Sequence, residues 1–220
     1  MSDRILVINP NSNAEVTEAI DRALDPLRQN GELEIACMTL EEGPLGIETQ
    51  RDTEIAANLV EQTIRERETD ADAFVIACYS DPGLSAATTL TPKPCFGIAE
   101  SGLKAAIKIG ERVGVISILP ESVERHWTYA RSLGLDEKIS GDLALNLKVA
   151  ELADEKRVGV KMRKTGERLR DRYGANVILM GCAGMARYRE GLEKKLKLPV
   201  IDPTQAATAK AISALRPGRP

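Results

Sequence analysis

Two cysteines occupy matching places in two similar stretches of this chain. Cys78 ends the apolar run Ala73-Phe-Val-Ile-Ala-Cys78, and Cys182 ends Asn176-Val-Ile-Leu-Met-Gly-Cys182. A thiolate can take a proton from one face of a carbon while a thiol returns one to the opposite face. Facing each other across a cleft, two such groups can invert a stereocentre without a cofactor. Each cysteine is followed by a short loop and a helix start: Tyr79-Ser80-Asp81-Pro82-Gly83 after the first, Ala183-Gly184-Met185 after the second. Backbone N–H groups at such a start stabilise an anion and can bring a thiolate within reach of neutral pH. Cys37 and Cys95 fall inside apolar runs without this context and read as packing residues.

Other polar groups gather at the same strand ends. Asn9-Pro10-Asn11-Ser12 follows the first strand, and its amides suit either a ligand carbonyl or a helix cap. Ser117 and Ile118 hold the corresponding edge of the second stretch. Ser80 is placed to donate to a developing enolate oxygen. Gly43-Pro44-Leu-Gly46-Ile-Glu48 has turn chemistry and suits a lid or a plain connection equally. Asp81-Pro82 and Asp202-Pro203 each match a capping residue followed by proline at the first helical position. His126, next to Trp127 in an amphipathic stretch, reads as a packing residue. With one histidine and no Cys-x-x-Cys pair, the chain offers poor material for a zinc site. It has neither a Gly-x-Gly-x-x-Gly nor a Walker loop, so nucleotide binding lacks a motif. Neither a cofactor nor a metal is expected.

The elements that must hold these residues alternate. Strand candidates are Arg4–Asn9, Leu33–Met38, Ala73–Cys78, Cys95–Ile98, Val113–Ser117, Asn176–Gly181 and Pro199–Ile201. They are rich in Val and Ile and mostly lack polar alternation, as strands buried on both faces of a parallel sheet do. Helix candidates are Ala14–Arg28, Thr53–Arg67, Leu103–Ile109, Ser122–Ser132, Leu147–Tyr173, Met185–Leu196 and Thr204–Leu215. The alternation predicts an α/β fold with right-handed crossovers.

An internal repeat organises it. Arg4-Ile-Leu-Val-Ile-Asn9 resembles Arg112-Val-Gly-Val-Ile-Ser117; Cys78 lies 70 residues after Ile8, and Cys182 lies 66 after Ile116. A Pro-led strand, Pro94-Cys-Phe-Gly-Ile98 or Pro199-Val-Ile-Asp-Pro203, follows each cysteine by 16 or 17 residues. Three landmarks in one order predict two pseudo-symmetric α/β half-domains with mostly parallel sheets and a site in the cleft between them. Residues 1–100 plus 204–220 form the first half and 101–203 the second, with Glu100–Glu111 crossing as a helix and Thr204–Leu215 returning to the first half.

Composition narrows the function classes. The chain of 220 residues is 43% hydrophobic and 29% charged with a net charge of −3, ordinary for a globular protein. Aromatics are only 3%, too few for base-stacking platforms, and basic runs such as Lys161-Met-Arg-Lys164 read as solvated helix faces. Nucleic acid is therefore not an expected partner. Nor is a membrane, since no apolar stretch approaches about 18 residues. The start runs directly into a strand, which predicts a cytoplasmic location, and free thiols suit that compartment.

These motifs resemble the aspartate/glutamate racemase superfamily, most closely its hydantoin racemase branch, with allantoin racemase as a near relative. The carrying residues are Ile8-Asn-Pro-Asn-Ser12, Gly43-Pro44 with Ile47-Glu48, Ala77-Cys-Tyr-Ser-Asp-Pro-Gly-Leu84, Gly97-Ile-Ala-Glu100 and Gly181-Cys-Ala-Gly-Met185. The resemblance implies cofactor-independent racemisation of a hydantoin or ureide, a small-molecule substrate, through Cys78 and Cys182, in a homo-oligomer. It implies substrate contacts from Asn11, Pro44, Ser80, Ser117, Ile118 and Ala183. Ile118 stands where many members carry a second hydroxyl residue. Relatives resembling arylmalonate decarboxylase keep only the second cysteine. Those resembling maleate isomerase keep both but act on a dicarboxylate.

Overall fold

The structure is a computed structural model that describes residues 3–28 and 33–216. Residues 1–2 and 217–220, at the ends of the expected first half, lie outside the described residues, as do 29–32. Strands β1 (Asp3–Asn9), β2 (Leu33–Thr39), β3 (Ala73–Ile76) and β4 (Cys95–Gly97) form a parallel sheet in the order β2-β1-β3-β4. Strands β5 (Val113–Ser117), β6 (Ile139–Ala144), β7 (Val177–Met180) and β8 (Val200–Ile201) repeat it as β6-β5-β7-β8. The helices are α1 (Ala14–Ala23), α2 (Gln50–Glu66), α3 (Leu84–Leu90), α4 (Ile98–Ile109), α5 (Pro120–Ser132), α6 (Glu155–Tyr173), α7 (Arg189–Leu196) and α8 (Pro203–Leu215). The expected two-half α/β fold is therefore present, and the halves share one strand order.

Three details depart from the sequence reading. β6 was not anticipated, and α3 only as a helix start after Gly83. The single helix expected over Leu147–Tyr173 is two elements, a 3-10 turn (Val149–Ala153) and α6, because Asp154 accepts from Arg157 N at 3.0 Å and caps a fresh start. Asp202 caps α8 as expected, accepting from Thr204 N at 2.8 Å.

The central strands are apolar through their middles because both of their faces are covered there. On the first sheet Ile5, Val7, Ala73 and Val75 join a core that runs through both halves. Their alternates Leu6, Ile8, Phe74 and Ile76 join a separate cluster with Val60, Ile64 and Ala87 from α2 and α3. α8 packs on α4 and on β1, β3 and β4, returning to the first half. Among the described residues no helix is long and apolar enough to cross a membrane.

Candidate active site

The two cysteines are positioned by the same backbone device. β3 ends at Ile76, and Ala77 N donates to Ile8 O at 2.8 Å; β7 ends at Met180, and Gly181 N donates to Ile116 O at 2.8 Å. The next residue is the cysteine in each case. Its carbonyl then accepts from the residue three further on, Asp81 N at 3.0 Å or Met185 N at 3.2 Å. These paired turns leave Cys78 and Cys182 half-buried, and both line one cavity of about 30 Å³ between the halves.

The thiols are not made acidic here. Burial pushes Cys78 up to about 12 and Cys182 to about 11. The neighbouring Cys182 raises Cys78 further, whereas the Ser80 N–H and Arg125 pull it down. The Gly184 N–H pulls Cys182 down while Glu48 raises it. The backbone donors expected at the helix starts are thus present, each two residues past its cysteine, but desolvation outweighs them. A thiolate at neutral pH, as the sequence suggested, is not the resting state.

Asn11 reaches the cavity but is not the helix cap. Its Oδ1 accepts from Asn9 Nδ2 at 3.0 Å and Asn13 N at 2.9 Å, which fixes the turn after β1. Asn13, not Asn11, caps α1. Asn11 lines the cavity, and its Nδ2 has no hydrogen-bond partner among the described residues. The loop from Gly43 lies against this turn. Ser12 N donates to Pro44 O at 3.0 Å, and a Cβ on Gly43 would stand 2.5 Å from Pro10 O, so only glycine allows the approach.

Of the other expected contacts, Ser80, Ile118 and Ala183 line the cavity beside the cysteines. Pro44 and Ser117 do not. The Pro44 loop instead offers Ile47, and Glu48 carries the loop across to the second half: Val149 N donates to its Oε1 at 3.0 Å and Arg125 Nη1 to its carbonyl at 2.9 Å. Ser117 is fully buried, and its hydroxyl donates to Asp142 Oδ1 at 2.5 Å.

Sequence reasoning missed the contribution of α5. Ser122, Arg125 and His126 lie on one face of that helix and line the cavity. His126 Nδ1 lies 2.8 Å from Ser117 Oγ and 3.0 Å from Asp142 Oδ2, and Tyr79 meets the imidazole edge-to-face at 4.6 Å. The signal was present as Ser122 and His126 at i, i+4 on the helix that follows β5, but both types also suit a packed helix face. Arg125 and Ser80 also line a second cavity of about 610 Å³, with Thr49, Thr53, Glu121 and Tyr129 on its walls, so it adjoins the first as a vestibule.

A repeated parallel α/β unit with a thiol from each half on one cavity defines a class, that of two-half proteins with paired cysteines. The profile of the Asp/Glu/hydantoin racemase family matches residues 5–211, and the chain belongs to that family of isomerases. It is 34% identical to a hydantoin racemase of Pseudomonas sp. (strain NS671) over 90% of this chain and 80% of that protein. It is 33% identical to a hydantoin racemase of Paenarthrobacter aurescens over 98% of this chain and 92% of that one. Among solved structures, the allantoin racemase from Klebsiella pneumoniae superposes with a TM-score of 0.92 at 34% identity, covering 97% of this chain and 88% of that one.

Proposed function

We propose that this chain is a cofactor-independent racemase of 5-substituted hydantoins or a related ureide such as allantoin, with Cys78 and Cys182 as opposed proton carriers. The observation that carries the reading is the placement of both thiols on one cavity, at equivalent strand ends, each with a backbone donor two residues on. One cysteine, as thiolate, removes the proton from the ring carbon next to a carbonyl. The electron pair of the broken C–H bond moves onto that carbonyl and forms an enolate. The opposite thiol protonates the other face and is left as the thiolate. For the other enantiomer the roles reverse. The Asn11 amide and the Ser80 hydroxyl are donors for the enolate oxygen. The ring carbonyl takes the place of a cofactor as electron sink.

The cavity between the thiols has room for one or two waters. In this reading the halves part to admit a ring, and the vestibule gives access and space for the 5-substituent. The halves divide at residues 1–100 with 204–220, and 101–203. The protein acts in the cytoplasm as a homo-oligomer. A dicarboxylate isomerase would need clamps for two carboxylates. Arg125 is the one cation on the cavity among the described residues, and Arg187 is paired with Glu155 elsewhere, at 3.5 Å.

The test is incubation with single enantiomers of hydantoins and allantoin in D₂O, followed by polarimetry and NMR. Loss of optical rotation with deuterium entering at the inverted carbon is the expected result. Cys78→Ser and Cys182→Ser should each lower racemisation by about 10²–10⁴-fold, because one face loses its proton carrier. Near-native racemisation by either variant would remove the two-thiol assignment. A covalent adduct with maleate would favour the dicarboxylate isomerase, and tight binding without turnover a non-catalytic module.

A further inference from the structure

His126 has one ring nitrogen committed and one free. Ser117 donates to Asp142 Oδ1, so the hydroxyl proton is spent there and Ser117 Oγ can only accept from the histidine. Asp142 Oδ2, the other neighbour of Nδ1, belongs to the same buried carboxylate and accepts as well. Nδ1 therefore carries a proton shared between Ser117 Oγ and Asp142 Oδ2. In the neutral ring this fixes the tautomer and leaves a lone pair on Nε2. Nε2 has no hydrogen-bond partner among the described residues, nor is it sealed off as a buried unpaired atom, although His126 as a whole is only 6% exposed. The residue lines the same cavity as both cysteines. A serine–histidine–aspartate hydrolase relay is not what this is: the serine and the carboxylate meet the same ring nitrogen, and the serine hydroxyl is fully buried away from the cavity.

Of the other polar side chains on the cavity, the Asn11 Nδ2 and the Arg125 guanidinium only donate, and the Ser80, Ser122 and Tyr79 hydroxyls donate or accept, Ser122 already accepting from Arg125 Nη2 at 3.3 Å; His126 Nε2 is the nitrogen there with a lone pair to offer. A ligand with carbonyls alone would be served by these. A cyclic ureide also presents amide N–H groups, and an acceptor is needed to satisfy one of them on burial. We infer that His126 Nε2 accepts a ring N–H of the substrate, with Asp142 and Ser117 as positioning residues that hold the tautomer. His126 would thereby select for ligands with a free ring N–H. The inference rests on the ureide reading above and adds the recognition element to it.

The chain has a single histidine, so one label reports on it alone. In protein labelled with ¹⁵N-histidine, long-range proton–nitrogen correlation should show a protonated Nδ1 and a bare Nε2. Unsubstituted hydantoin, an achiral probe, should shift the Nε2 resonance on saturation and leave Nδ1 nearly unmoved. A proton on Nε2, or an unmoved Nε2 with hydantoin bound, would overturn the inference. Failure of hydantoin to bind at all would remove the ureide reading and this inference with it. Kinetics give an independent readout. With native protein, methylation of the contacted ring nitrogen should lower kcat/KM by about 10- to 100-fold, the cost of leaving a buried acceptor unpaired. In His126→Phe the parent hydantoin should lose a similar factor, while the N1- and N3-methyl derivatives should come within about threefold of it. His126→Gln, which keeps an acceptor near that position, should recover part of the discrimination. Equal discrimination by His126→Phe and native protein would mean that the histidine only packs.

Discussion

At Cys78 and Cys182 a backbone donor favours the thiolate and burial opposes it, and burial prevails. With burial pushing the thiols up to about 12 and 11, only a small fraction of either is ionised at pH 7. Because the neighbouring Cys182 also raises the cost of ionising Cys78, the two titrate as a pair: the first proton lost creates the working thiol–thiolate state, and the second destroys it. The expected consequence is a kcat/KM for racemisation that climbs about tenfold per pH unit from pH 7 toward 10, after subtraction of the spontaneous rate. A profile flat across that range would show that the working thiolate forms by another route. Much of this site was legible because it lies at strand ends. Cys78 and Cys182 close apolar runs at repeated spacing, and Asn11, Ser80, Ile118 and Ala183 lie within two residues of such ends. Ser117 and Pro44 were named as contacts on the family resemblance, and neither the resemblance nor position along the chain gives the direction of a side chain. Ser117 turns into the protein toward Asp142, and Ile118 takes the cavity wall. His126 was hidden because its partner Asp142 lies on a strand that did not read as one.

That strand shows what an element-level reading depends on. β6 is Ile139-Ser-Gly-Asp-Leu-Ala144, and Ser, Gly and Asp carry little strand signal. Gly141 is required, since a Cβ there would lie 2.7 Å from Tyr173 Cδ1 of α6. The repeat itself was the available clue: a counterpart of β2 was due between β5 and β7. α3 was read only as a start for a related reason. Asp81-Pro82 read as its cap, yet α3 starts at Leu84 behind Gly83, and Asp81 caps α4 instead. Its two oxygens accept from Ala99 N at 2.8 Å and Glu100 N at 2.9 Å, and Tyr129 of α5 donates to it at 2.9 Å. One carboxylate three residues past Cys78 thus ties the first cysteine loop to the helix crossing between halves and to a helix of the second half. Gly97 makes room for it, since a Cβ there would fall 2.1 Å from Asp81 Cγ. Gly97→Ala should expel the carboxylate, uncap α4 and lower stability by about 2–4 kcal/mol, read from the urea midpoint. Racemisation should fall with it, as the loop carrying Cys78 loses its anchor. An unchanged midpoint would show that α4 holds its place without Asp81.

For the whole molecule, the same burial that shapes the cleft ties folding to pH. All four cysteines are pushed up by desolvation, Cys37 and Cys78 to about 12 and Cys95 and Cys182 to about 11, from an ordinary 9.0. An acid whose folded pKa is raised holds its proton more tightly in the folded state. The stability this confers is complete below about pH 9 and drains away as pH rises through 11 and 12. Asp81 and Asp202, raised by burial from 3.8 to about 7 and about 6, follow the same sign lower down: their share is complete below about pH 4 and is lost as pH rises through 6 and 7. Asp70 and Asp171 run the opposite way. Each is held down by a hydrogen bond from a neighbouring guanidinium, Arg67 or Arg170, and loses its small share as pH falls below 4. Together these place maximum stability near pH 4, followed by a decline to about pH 7, a shelf to about pH 9 and a steep alkaline fall. Within the fall each thiol contributes up to about 1.4 kcal/mol per pH unit. Urea midpoints followed by circular dichroism from pH 4 to 11 should trace this shape. Between about pH 9 and 10, before Tyr79, Tyr129 and Tyr188, whose hydroxyls burial also pushes up, begin to add to the fall, a Cys78→Ala/Cys182→Ala double variant should fall about half as steeply, because Cys37 and Cys95 remain. A double variant that falls as steeply as the native chain would mean that the cleft thiols ionise as readily folded as unfolded, and that the cavity between the halves is open to water.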